Sequence, residues 1–141
     1  MDAAAVARIR QSFDLLAPQA DLLMSTFYDR LFAAFPPVRT LFPKDMTQQK
    51  KHLTAAIALV VKHADNLPAI EKPLLDMGAR HATYGAKPEH YGLVRDTLLG
   101  TMKDLAGPAW TIQLQTDWTT AVNAVAGIMI RGAEEVVQRA A

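Results

Sequence analysis

The apolar residues of this chain recur every three or four positions and almost never every second one, which confines it to helices. Leu23, Phe27 and Leu31, flanked by Met24 and Phe32, form one stripe; Trp118, Val122, Val125 and Met129 form another, spaced four, three and four. At 3.6 residues per turn such spacing gathers one apolar face, whereas a half-buried strand needs strict alternation. Ala, Leu, Met, Gln and Lys dominate, all good helix formers. Proline, glycine and polar caps mark the ends. Asp2 reads as the N-cap of a first helix running to about Leu16, and Pro18 restarts the chain. Pro36-Pro37 closes the second helix and opens a short helical turn from Val38 to Phe42. Pro43-Lys44-Asp45 is a connection. Leu53, Ile57, Val60 and Val61 mark the inner face of a helix from about Met46 to His63. Asn66-Leu67-Pro68 breaks the pattern, with Asn66 expected to cap and Pro68 inside the first turn. The next helix is expected to end near Arg80-His81, before a loop punctuated by Gly85 and Pro88. Leu93, Val94, Leu98, Met102 and Leu105 build a helix that stops at Gly107-Pro108, and a long C-terminal helix follows. Six to eight helices of uneven length suit a layered all-α fold with a pocket between the middle helices better than a four-helix bundle.

A length of 141 residues suits one domain, 1–141, with one core, and no repeat or linker divides it. With 50% hydrophobic and 21% charged residues, the balance is that of a globular chain rather than a disordered one. A formal net charge of +1 gives no electrostatic case for nucleic acid. No stretch approaches the ~20 apolar residues of a membrane span. The start lacks a basic segment followed by an apolar core, so a cytoplasmic location is the default. Cysteine is absent, which excludes disulfides, thiolate metal sites and covalent haem attachment.

Four residues could carry chemistry together. His81 sits near the end of a helix, where a neutral imidazole could be the axial ligand of an iron porphyrin or simply a partly exposed side chain meeting the helix dipole. Tyr28 is one residue from the Phe27–Leu31 stripe, so its hydroxyl needs either a buried partner or water. Gln49 precedes Leu53 by four residues and shares its helix face, giving a mixed polar and apolar wall; its alternative is a solvated helix position. Phe42 follows the Pro-Pro turn and reads as core or as a wedge against a flat ligand. His52 lies three residues after Gln49 and could act as a second iron ligand, pair with a haem propionate or face water. Lys50 and Lys51 could bond propionates, though a solvated charge pair fits them better. His63 and His90 read as peripheral.

Phe27-Tyr28, Pro37-Val38-Arg39-Thr40-Leu41-Phe42, Gln49, Leu53, Asn66-Leu67-Pro68, His81, His90-Tyr91, Leu98-Leu99-Gly100 and Trp118 together resemble bacterial globins of the flavohaemoglobin lineage, including their single-domain members. The resemblance covers nearly the whole chain. It implies a globin fold with non-covalent haem b. It matches His81 to the proximal iron ligand, Phe42 to the ring-stacking aromatic, Tyr28 and Gln49 to the distal polar pair and Leu53 to the apolar distal residue. Tyr91 matches the tyrosine of a proximal His–Tyr–Glu network. The glutamate position falls on Ala133, with Glu134 and Glu135 after it; one residue is a rotation of about 100° on a helix, so Glu134 is expected to miss His81.

The function implied is reversible binding of dioxygen and other diatomic gases, nitric oxide and carbon monoxide among them, for storage, delivery or sensing. Nitric oxide dioxygenase activity is the alternative. The sequence up to Ala141 carries no flavin or nicotinamide domain, so a separate reductase is the expected partner, with the protein a monomer or a homodimer.

Overall fold

The computed structural model describes residues 1–140; Ala141, the last residue of the span read as one domain, lies outside them. Six α-helices are present among the described residues: α1 (Ala3–Leu16), α2 (Ala20–Ala34), α3 (Thr47–Lys62), α4 (Glu71–Thr83), α5 (Pro88–Ala106) and α6 (Ile112–Ala140). Four 3₁₀ turns connect them, at Ala17–Gln19, Pro36–Leu41, Leu67–Ile70 and Gly107–Ala109. No strand occurs among the described residues. This is the all-α architecture expected from the spacing, at the lower end of the expected helix number.

Local chemistry accounts for most of the helix ends. The Asp2 carboxylate accepts from the Ala5 amide at 2.8 Å, an N-cap that satisfies one of the free amides of α1. Gly107, at φ +59°, ends α5 in a conformation costly for any side chain. Two boundaries differ from expectation. Asn66 makes no side-chain cap; only its carbonyl serves, accepting from Ala69 at 3.1 Å. The helix carrying His81 runs on to Thr83, because the Tyr84 amide still finds the Arg80 and His81 carbonyls; Gly85, at φ +96°, then turns the chain. His81 therefore sits inside the last turn of α4.

The core is built from Ile9 and Leu16 of α1, Leu23, Phe27 and Leu31 of α2, Ile57 and Val61 of α3, Leu98, Leu99 and Met102 of α5, and Trp118 of α6. Trp118 is fully buried, and its indole Nε1 donates to the Ser12 hydroxyl at 2.9 Å, so α1 and α6 are joined without an unsatisfied polar group. The packing divides the helices unevenly. α3 lies on α1 and α2, whereas α4 lies along α6, and α3 and α4 scarcely touch. No helix among the described residues is long and apolar enough to cross a membrane.

A second tie between α1 and α6 is ionic. Arg8 donates from Nε to Asp117 Oδ2 at 2.6 Å and from a terminal nitrogen to Oδ1 at 3.1 Å, and Gln113 adds a bond at 3.1 Å. The Asp117 side chain is only 4% exposed. The Arg8 hydrogen bonds hold its carboxyl below the usual carboxylate range. A carboxyl that is more acidic folded than unfolded stabilises the fold above its unfolded value, about 3.9, and loses that contribution as pH falls through the lower folded value. Asp117→Asn should lower stability at neutral pH by about 1–3 kcal/mol. The deficit should shrink as pH falls below about 4, which denaturant melts of both proteins across pH would check; parallel curves would contradict it.

Candidate functional site

Tyr28 and Gln49 meet. Tyr28 lies on the buried face of α2, 4% exposed, and Gln49 is in the first turn of α3. The Gln49 side-chain amide donates to the Tyr28 oxygen at 3.2 Å. The hydroxyl therefore accepts from Gln49, and its own proton has no acceptor among the described residues. Burial raises the Tyr28 pKa, with the Gln49 bond working the other way. The hydroxyl stays protonated at neutral pH and can donate to a ligand placed against it.

The Tyr28 ring is packed edge-on against Phe27 at 4.8 Å and Phe42 at 5.6 Å, and Phe42 meets Phe32 at 5.4 Å. Each such contact contributes about 0.5–1.5 kcal/mol beyond its buried area. Arg39 fixes the segment that carries Phe42. Its guanidinium lies 5.0 Å over the Phe32 ring and donates to the carbonyls of Phe42 at 3.3 Å, Pro43 at 2.9 Å and Lys44 at 3.1 Å. Phe42 and Leu53, though packed on the core, are only half-buried, as are Leu93 and Val94 of α5.

His81 on α4 is half-buried, and its Nδ1 lies 2.7 Å from the Met77 carbonyl. A carbonyl can only accept, so the proton is on Nδ1 and the Nε2 lone pair is left for another partner. This is how a metal-binding imidazole is commonly oriented and its tautomer selected. Tyr91, near the start of α5, has a buried hydroxyl with no hydrogen-bond partner among the described residues, and burial raises its pKa. No carboxylate serves it. Ala133 is half-buried, while Glu134 and Glu135 are exposed, in line with the displaced glutamate read from the sequence.

Other polar residues take roles that the sequence hides. The His90 ring accepts from the Lys87 amide at 3.0 Å, and it meets the Phe35 ring at a tilt, 5.9 Å between centres. It thus caps α5; proline at the first helical position and a residue able to accept two places later were the available signal. Asp45 accepts the Thr47 amide at 2.9 Å at the start of α3. Lys50 is half-buried and donates to the Ser25 hydroxyl at 3.3 Å, so it is not half of a solvated pair with exposed Lys51. His52 is exposed. A cavity of about 260 Å³ lined by Arg8, Gln11, Ser12, Leu15 and Leu114 contains none of these groups and stays outside the site.

The donor set also limits what can be bound. No group of three or more His, Asp or Glu is placed to hold a metal ion among the described residues. A metal at His81 must bring its other ligands with it, as an iron porphyrin does. A half-buried imidazole bonded to the protein only through Nδ1, partly exposed apolar side chains at Phe42 and Leu53 and a buried hydroxyl oriented by Gln49 suit that group.

Residues 25–129 match the family model for globins, and the chain belongs to the globin family. It is 33% identical over 127 residues to a flavohaemoprotein of Vibrio cholerae and 32% identical over 126 residues to one of Rhodopirellula baltica. Each match takes in 86% of the chain, which spans about a third of those relatives' length, 32% and 31%. Among solved structures, it resembles an engineered carbene transferase from a candidate nitric oxide dioxygenase of Rhodothermus marinus. That match has a TM-score of 0.87 and 25% identity and covers 98% of this chain and 96% of the other. A bacterial globin of Campylobacter jejuni shares the fold, with a TM-score of 0.87 at 24% identity, over 97% and 99% of the two chains.

Proposed function

We propose that residues 1–141 form a single globin domain that holds haem b without a covalent bond and binds dioxygen reversibly. The observation that carries this is the His81 contact: Nδ1 lies 2.7 Å from the Met77 carbonyl, which in the neutral ring leaves the Nε2 lone pair free, on a helix that scarcely touches α3. Membership of the globin family supports it. Bound haem supplies a ferrous iron with a position open to a diatomic gas. The chain contributes the rest. His81 would hold the iron through its Nε2 lone pair. Phe42 and Leu53 supply apolar surface, and Tyr28, oriented by Gln49, holds a proton for a polar gas ligand. The exposure of His52 supports Gln49 rather than His52 as the distal partner. Titrating the purified protein with haem should give one saturable site and a Soret band; no saturation would reject the reading.

Arg39 acts through Phe42. Arg39→Ala removes three charged hydrogen bonds and a cation–π contact, a loss of about 1–3 kcal/mol partly screened at the surface. It should speed haem loss to an excess of apoglobin acceptor, and Arg39→Lys should recover little, since ammonium lacks the planar fork. An unchanged loss rate would show that Phe42 needs no such support.

A second reading is nitric oxide dioxygenase, which converts dioxygen and nitric oxide to nitrate. The flavohaemoprotein relatives and the Rhodothermus candidate favour it. The unpartnered Tyr91 hydroxyl weighs against it, because no carboxylate continues the proximal network that would make His81 more electron-donating. Nitric oxide consumption with a supplied flavin reductase, far above the autoxidation rate, would favour the enzyme.

A further inference from the structure

α4 and α6 cross with their backbones in contact at two glycines. A Cβ on Gly78 would fall on the Met129 carbonyl, and one on Gly132 would fall on the Leu75 carbonyl. The relation is reciprocal: Leu75 and Gly78 are three residues apart on α4, and Met129 and Gly132 are three apart on α6. Each glycine thus admits the carbonyl at the partner helix's other crossing position. Both glycines are buried. The approach suits Cα–H···O contacts between the helices. Arg131 and Glu71 pair across the same interface at 3.0 Å, near its exposed edge. The contrast with Gly127 and Gly100 is sharp, because a Cβ at either would meet nothing within 4 Å.

This crossing lies about one turn before His81: Gly78 is three residues ahead of it on α4. Met77, whose carbonyl fixes the His81 tautomer, is the residue preceding Gly78. α4 has few other supports: besides the turn at Leu67–Ile70, it is seated on α6 and scarcely touches α3. The distance between α4 and α6 therefore sets where the imidazole stands.

We infer that Gly78 and Gly132 are positioning residues for His81, a close-contact seat that sets the placement of the proximal imidazole. The inference rests on the haem reading above. A methyl group at either glycine must lift α4 from α6, since the atoms it meets are backbone and cannot swing aside, and His81 must move with the helix.

The test is the iron–histidine stretching band in the resonance Raman spectrum of the ferrous, gas-free haem protein. It is recorded for the wild type, Gly132→Ala, Gly78→Ala and Gly127→Ala. Gly127→Ala should leave the band in place and raise stability slightly, as alanine does at an open helical site. Gly132→Ala should displace or broaden the band and speed haem loss by about tenfold. Gly78→Ala, nearer His81, should do so more strongly; if it fails to fold, the haem-bound fraction of Gly132→Ala carries the test. A purely structural role would lower the melting temperature and leave the band unmoved, and that result would overturn the inference. A wild type with no such band would overturn the haem reading and this inference with it.

Discussion

His81→Gly is expected to release haem about a hundredfold faster than the wild type, or to prevent its retention altogether. Added imidazole should restore much of the lost spectrum. The expectation follows from the donor set. His81 is not one of several clustered ligands, and no group of three potential metal donors exists among the described residues to take its place. Its Nδ1 donates to the Met77 carbonyl, so in the neutral ring the lone pair is on Nε2. Glycine in the last turn of α4 costs about 1 kcal/mol of helix stability. Circular dichroism must therefore show that the variant remains folded. A folded His81→Gly protein that keeps haem at the wild-type rate would remove His81 from the site.

Tyr28→Phe is expected to speed oxygen release by roughly tenfold or more. The variant keeps the aromatic contacts to Phe27 and Phe42 and deletes only the hydroxyl. A donor bond to a partly charged ligand contributes on the order of 1.5–3 kcal/mol in a buried site. Carbon monoxide is less polar and should respond much less, so the two gases form an internal control. Gln49→Leu should have a smaller effect, because Gln49 donates to Tyr28 and acts through its orientation. Stopped-flow release of both gases would measure this. Equal acceleration of oxygen and carbon monoxide would point to a steric change; an unchanged oxygen rate would remove Tyr28 from ligand binding.

The features legible in the sequence are those decided over a few residues. The α1 cap at Asp2, the stop at Gly107 and the apolar faces of α2 and α6 follow from local spacing and backbone preference. The nearness of Gln49 to Leu53 on one face of α3 was readable in the same way. Features that depend on contacts between distant segments were not. Whether the Tyr28 hydroxyl faced water or a buried partner was undecided, since it lies at the edge of its stripe and its partner is 21 residues away. Asn66 looked like a cap, yet its side chain makes no such bond. Lys50 reads as solvated, although it donates to the Ser25 hydroxyl, and the exposed bond from the Lys87 amide to His90 has no strong local signal. Nothing local told Gly78 and Gly132 from the open Gly100 and Gly127, because a glycine's need for space is set by the helix lying across it.

Reversible oxygen binding is tested most directly by the absorption spectrum of the haem-loaded, reduced protein under nitrogen, then oxygen, then nitrogen again. The protein should give a five-coordinate ferrous spectrum that becomes an oxygenated one and returns on degassing. A ferrous spectrum that does not respond to oxygen, or one that oxidises at once without an oxygenated form, would contradict it.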